Sequence, residues 1–90
     1  MKVRKAEGGK FVFWCPGCEC AHAFNDSIWK FNGDLEKPTV RDSIKVTDGP
    51  EEARRVCHLW LTDGRITFEG DSWHRLKGQT VEMTDFRADS

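Results

Sequence analysis

The stretch VCHLWLTDGRITFEG, residues 56–70, constrains the fold of this 90-residue chain more than any other. Two β-rich runs flank Asp63-Gly64, a pair suited to a type I′ turn because both central residues must reach φ > 0. A two-residue turn fixes register, so Thr62 faces Arg65 and, carried back along the ladder, Cys57 comes level with Gly70. The start of the first strand is thereby brought close to the segment GDSWHRLKG. Strand alternation also sorts the side chains: Cys57 shares a face with Leu59 and Leu61, whereas His58 shares the opposite face with Trp60.

The remaining segments are strand-like as well. FVFW at 11–14 runs into Cys15-Pro16-Gly17-Cys18, which has a turn composition. Cys20, His22 and Phe24 alternate with Ala21 and Ala23, and Ile28 to Phe31 lead to a turn at Asn32-Gly33-Asp34. TVRDSIKVT at 39–47 alternates loosely, and residues 79–83 read as a last short strand. One helical turn is expected over 50–55, with Asp48 as its N-cap. The expected fold is a mostly β, single-domain, zinc-stabilised hairpin fold of zinc-ribbon-like type with little helix. A basic flexible segment over 1–10 precedes the domain at 11–85, and a flexible tail occupies 86–90.

A chain of this length buries only about 60–65% of its unfolded surface, so a metal, disulfides or a partner is expected to reinforce its core. Fourteen Lys and Arg balance fifteen Asp and Glu, without a basic stripe. That balance disfavours nucleic-acid binding; Lys2, Arg4, Lys5 and Lys10 form the only local basic cluster. No apolar run approaches the ~20 residues needed to span a bilayer, and no apolar segment follows the charged N-terminus as in a signal peptide. These features lead us to expect a cytoplasmic protein, where clustered cysteines serve as metal ligands or redox groups rather than disulfides.

Cys15 and Cys18 are spaced C-x-x-C on a Pro-Gly turn, a spacing at which two thiolates reach one tetrahedral Zn²⁺. A redox dithiol and plain packing are the alternatives, but thioredoxin-like pairs sit at a helix N-terminus and ECAHAFND does not continue as an amphipathic helix. The other ligands must come from Cys20, His22, Cys57, His58 and His74. The hairpin register selects Cys57 and His74, so the expected site is Cys15, Cys18, Cys57 and His74, with His22 and His58 in reserve. Cys57 could instead be core, and each histidine could be an ordinary hydrogen-bonded residue. A zinc nucleobase deaminase requires H-x-E, which HAF, HLW and HRL lack. A Rieske centre requires two separated Cys/His pairs, and Cys57-His58 does not supply the second.

The ordered set CPGCECAHAF, WKFNGDLEKPT, CHLWLTDGRITFEGD and H-x-L-x-GQTVEM resembles a family of small uncharacterised proteins of tailed bacteriophages and prophages. The resemblance spans roughly residues 12–83 and implies the cytoplasm of a bacterial host cell as the setting. It implies that Cys15, Cys18, His22, Cys57, His58, Asp71 and His74 are the positions that matter. Ser72 departs from the pattern, since the family often carries Cys there.

Three functions follow as expectations. The first is a non-enzymatic module that engages a protein partner, a host factor or virion component, through a scaffold fixed by zinc. The second is a small zinc-dependent hydrolase with an open coordination position and Asp71 or His58 as its base. The third is a zinc hairpin that binds nucleic acid.

Overall fold

The computed structural model of the chain describes residues 1–86. It contains eight strands: β1 (Val3–Lys5), β2 (Lys10–Cys15), β3 (Cys20–Asn25), β4 (Lys30–Phe31), β5 (Val40–Asp48), β6 (Arg55–Thr62), β7 (Arg65–Phe68) and β8 (Thr80–Glu82). They form two antiparallel sheets, one ordered β1-β2-β3 and the other β4-β5-β6-β7-β8. The mostly β domain expected from the sequence is what forms, with two short 3-10 turns at Glu7–Gly9 and Glu51–Ala53 and no α-helix among the described residues. The turn at 51–53 has no side-chain cap; Asp48 instead meets Arg55 at 3.3 Å.

Alternation builds the core. Phe11, Phe13 and Cys15 of β2, with His22 and Phe24 of β3, are buried on one sheet. Val40 and Ile44 of β5, Cys57, Leu59 and Leu61 of β6, and Ile66 and Phe68 of β7 are buried on the other. The apolar members of both sets belong to one core cluster. Rings of Phe11, Phe24 and the partly buried Phe31 meet with centroids 4.8–5.5 Å apart, and full burial of a side chain such as that of Phe24 contributes roughly 1.5–3 kcal/mol.

The Asp63-Gly64 hairpin has the anticipated register, with Thr62 opposite Arg65 and Leu61 opposite Ile66. Both turn residues have positive φ, 49° and 78°, as a type I′ turn requires. Residues 3–5, expected to be flexible, instead form β1 because Val3 supplies a fully buried side chain to the core. At the other end, Phe86 N–H bonds the Met1 carbonyl at 2.8 Å, and the rest of the expected C-terminal tail, 87–90, lies outside the described residues.

One irregularity positions the chemistry. Val40 pairs with Leu61 and Ile44 with Leu59, so β5 advances four residues while β6 advances two. The extra residues bulge out between Val40 and Ile44. A guanidinium N–H of Arg41 bonds the carbonyls of Val40 and Leu61 at 2.8 and 3.1 Å and so pins the bulge. Bulges re-aim side chains beside functional sites, and this one carries Ser43.

Candidate active site and metal centre

β6 presents two adjacent residues to two different sites. Cys57 is 2% exposed and faces the core. His58 faces the other side, where its ring bridges Ser43 and Asp71. Ser43 Oγ lies 2.8 Å from His58 Nε2, and His58 Nδ1 lies 3.2 and 3.3 Å from the Asp71 carboxylate oxygens. An ionised carboxylate only accepts, so it fixes the imidazole proton on Nδ1 and leaves Nε2 to accept from the Ser43 hydroxyl. Ser–His–Asp in this order is the arrangement in which a serine is made nucleophilic by a neighbouring base and the base is oriented by an acid.

Local structure holds each member. Ser43 sits at the β5 bulge, and its carbonyl accepts the Trp29 indole N–H at 3.1 Å. His58 is clamped through its backbone: its N–H donates to Ser72 Oγ at 3.1 Å, and Ser72 Oγ–H donates back to its carbonyl at 2.9 Å. Asp71 is carried by a short excursion after β7. Glu69 N–H still bonds the His58 carbonyl, and Trp73 N–H bonds the Val56 carbonyl. The chain therefore leaves β6 at residue 69 and rejoins it at 73, and the loop between delivers Asp71 to the imidazole.

The second site lies on the buried face. Cys15, Cys18, His22 and Cys57 bring their ligand atoms within 4.8 Å of one another, and these four could hold a metal ion. Cys15 Sγ and Cys57 Sγ are 3.8 Å apart, which matches the edge of a tetrahedron with metal–sulfur bonds of about 2.3 Å. The Cys18 backbone N–H points at Cys15 Sγ from 3.4 Å. His22 contributes a buried Nε2 with no hydrogen-bond partner, a costly state that a bound cation relieves.

The sulfurs share their protons unequally. The Cys57 hydrogen bond, working against burial, pulls the Cys15 thiol down to about 4. The same contact together with burial pushes Cys57 far upward, so without metal the pair carries a single proton. Burial raises Cys18. Cys20 is exposed, stands outside the converging four, and is also raised by desolvation.

The expected ligands are thus partly redistributed. Cys15, Cys18 and Cys57 converge, and His22, the reserve, joins them. His74, expected in that place, lies behind Cys57 with Nε2 3.4 Å from Sγ. Its Nδ1 accepts the Leu76 N–H at 3.2 Å, which fixes the proton on Nε2 and directs it at the Cys57 sulfur. The imidazole also packs over Gly17, where a Cβ would come within 2.2 Å of it. His58, the other reserve, belongs to the opposite face. Ser43 was not among the residues singled out by sequence, although VRDSIKV contains a hint. Strict alternation would place polar Asp42 inward between Val40 and Ile44, which marks a break in the strand.

No curated protein and no solved structure matches the chain. The profile of the family described as bacterial ubiquitination-like system serine protease (BubE) matches residues 1–69. That span holds Ser43, His58 and all four converging ligands, with Asp71 two residues beyond its end. Matched over most of its length, the chain belongs to the BubE family.

Proposed function

We propose that this protein is a serine protease in which Ser43 is the nucleophile, His58 the general base and Asp71 the orienting acid. The observation that carries the reading is the continuous relay Ser43 Oγ–His58 Nε2, His58 Nδ1–Asp71. The family description supports it independently. On this reading His58 takes the Ser43 proton as Oγ attacks a substrate carbonyl. It then passes that proton to the departing amine, leaving an acyl-serine. Water, deprotonated by the same imidazole, attacks the acyl carbon and restores the Ser43 hydroxyl.

A surface cleft of about 380 Å³ is lined by Ile28, Lys30, Arg41 and Asp42, the last of these the residue before Ser43 on β5. Its size is within the range of ligand clefts. The protein partner expected from the sequence becomes the substrate, and the family description favours a protein of a ubiquitination-like system for that role. The phage or prophage setting stays an expectation from sequence resemblance.

We assign zinc to the Cys15, Cys18, His22, Cys57 group, since three thiolates and an imidazole are a zinc donor set. Four protein ligands leave no open position for water, which argues against the zinc-hydrolase alternative and for a structural ion. The same ion on the buried face is compatible with the non-enzymatic module, but that reading gives no reason for the hydrogen-bonded relay through His58. Peptide hydrolysis by wild type and by Ser43→Ala, with equal zinc content, tests the proposal. Loss of turnover in the variant supports it, and equal turnover refutes it.

A further inference from the structure

Four consecutive residues, Asp71 to His74, bond to both sites. Asp71 accepts from His58 Nδ1–H. Ser72 clamps the His58 backbone. The Trp73 indole N–H donates to Cys18 Sγ at 3.3 Å, and His74 Nε2–H donates to Cys57 Sγ at 3.4 Å. The first pair of residues therefore serves the Ser43 face and the second pair serves the sulfur cluster.

Asp71 needs such help. Its side chain is 57% exposed, and the bonds its carboxylate makes run to the histidine it must orient. Its position is set by the loop on which it rides, and that loop is fixed at its far end by residues 73 and 74. Trp73 adds a stacked Arg55 guanidinium 4.9 Å from its ring, while His74 is wedged between Phe68, at 4.5 Å between centroids, and Gly17. A sulfur held by an ion is a fixed acceptor, so each N–H···S bond ties the loop to the immobile cluster.

We propose that Trp73 and His74 are positioning residues that hold Asp71 against His58 through the sulfurs of Cys18 and Cys57, so that the metal centre sets the geometry of the protease centre. The inference rests on the reading of Ser43, His58 and Asp71 as a triad. It assigns the ion a second role: besides closing the core, it registers the catalytic acid.

The test uses the full chain loaded with one zinc, and compares wild type, Trp73→Phe, His74→Phe and Asp71→Asn, with Trp73→Phe also placed in the Asp71→Asn background. Trp73 is 45% exposed, so Trp73→Phe keeps the fold even if His74→Phe does not. The readouts are zinc content, the rate of Ser43 labelling by a fluorophosphonate, and the downfield proton resonance of His58 Nδ1–H. Trp73→Phe is expected to keep its zinc and its affinity for the probe, lower the labelling rate constant about ten- to a hundredfold, and broaden the resonance. In the Asp71→Asn background the same substitution is expected to change the rate by less than about twofold, because it acts through Asp71. An unchanged rate in Trp73→Phe overturns the proposal, as does an equal loss in both backgrounds. A silent Asp71→Asn, or labelling that survives Ser43→Ala, overturns the triad reading itself and is told apart by those two controls.

Discussion

Cys57 and His58 are neighbours on β6, yet they join different side-chain clusters on opposite faces of one strand. Cys57 Sγ lies 3.8 Å from Cys15 Sγ on the buried side, and His58 Nε2 lies 2.8 Å from Ser43 Oγ on the other. The period-2 geometry of a strand makes this unavoidable for adjacent residues. The β5 bulge and the 69–73 excursion then supply the serine and the acid on the side to which the imidazole projects.

Asp71→Asn is expected to cut turnover by roughly 10³–10⁴-fold, because an amide no longer enforces the Nδ1–H tautomer of His58. Asp71 is more than half exposed, so stability is expected to move by no more than about 0.5 kcal/mol. Steady-state kinetics alongside a urea melt checks both. A loss smaller than about tenfold contradicts the assigned role of the acid.

X-ray absorption of the zinc-loaded protein is expected to show three sulfurs and one nitrogen, with no oxygen. His22→Ala removes that nitrogen and weakens zinc binding. His74→Ala leaves the donor count intact and weakens binding only about ten- to a hundredfold, the range for a group that bonds a ligand without being one. Two nitrogen donors in wild type would restore His74 to the ligand set.

Zinc binding near neutral pH is expected to release two protons from the three thiols. Cys15, lowered to about 4, is already a thiolate; Cys57 and Cys18, both raised, still hold their protons. Affinity therefore falls as pH falls, and falls more steeply below about 4, where Cys15 also takes up a proton. Calorimetry in buffers of different ionisation enthalpy counts the protons. Three from the thiols would mean that the metal-free chain lacks the Cys15–Cys57 contact.

Gly17→Ala is expected to destabilise the domain by about 1–3 kcal/mol, the usual cost of overpacking. Its Cβ would stand 2.2 Å from His74 Cε1, and the buried ring has Phe68 beside it. Urea midpoints measure the change. An unchanged midpoint would show that the imidazole yields freely and does not brace the turn.

Much of this architecture is legible in the sequence. Asp63-Gly64 names its own turn, and the alternation around it separates Cys57 from His58. The fourth member of the Cys/His cluster is legible only as a reserve, because an extended segment would carry His22 beyond reach of Cys18. The chain instead reverses after Cys18, with Glu19 at φ 56°. Cys15 then pairs with Cys20 and Phe13 with His22, which returns the imidazole to the cluster. Extrapolated register brought residues 70–74 near Cys57, but which atom of His74 would be free to bind depended on the Leu76 backbone N–H. Ser43 escaped for a different reason: a bulge between Val40 and Ile44 is decided by tertiary pairing with β6, and local pattern marks it only through misplaced Asp42.

The account depends most on Ser43 being an activated nucleophile. Treating the zinc-loaded protein with a fluorophosphonate and mapping the adduct by mass spectrometry tests this directly. The predicted result is one adduct, on Ser43, that is lost in His58→Ala while zinc content stays the same. No adduct on the folded protein, or one on a different serine, would contradict it.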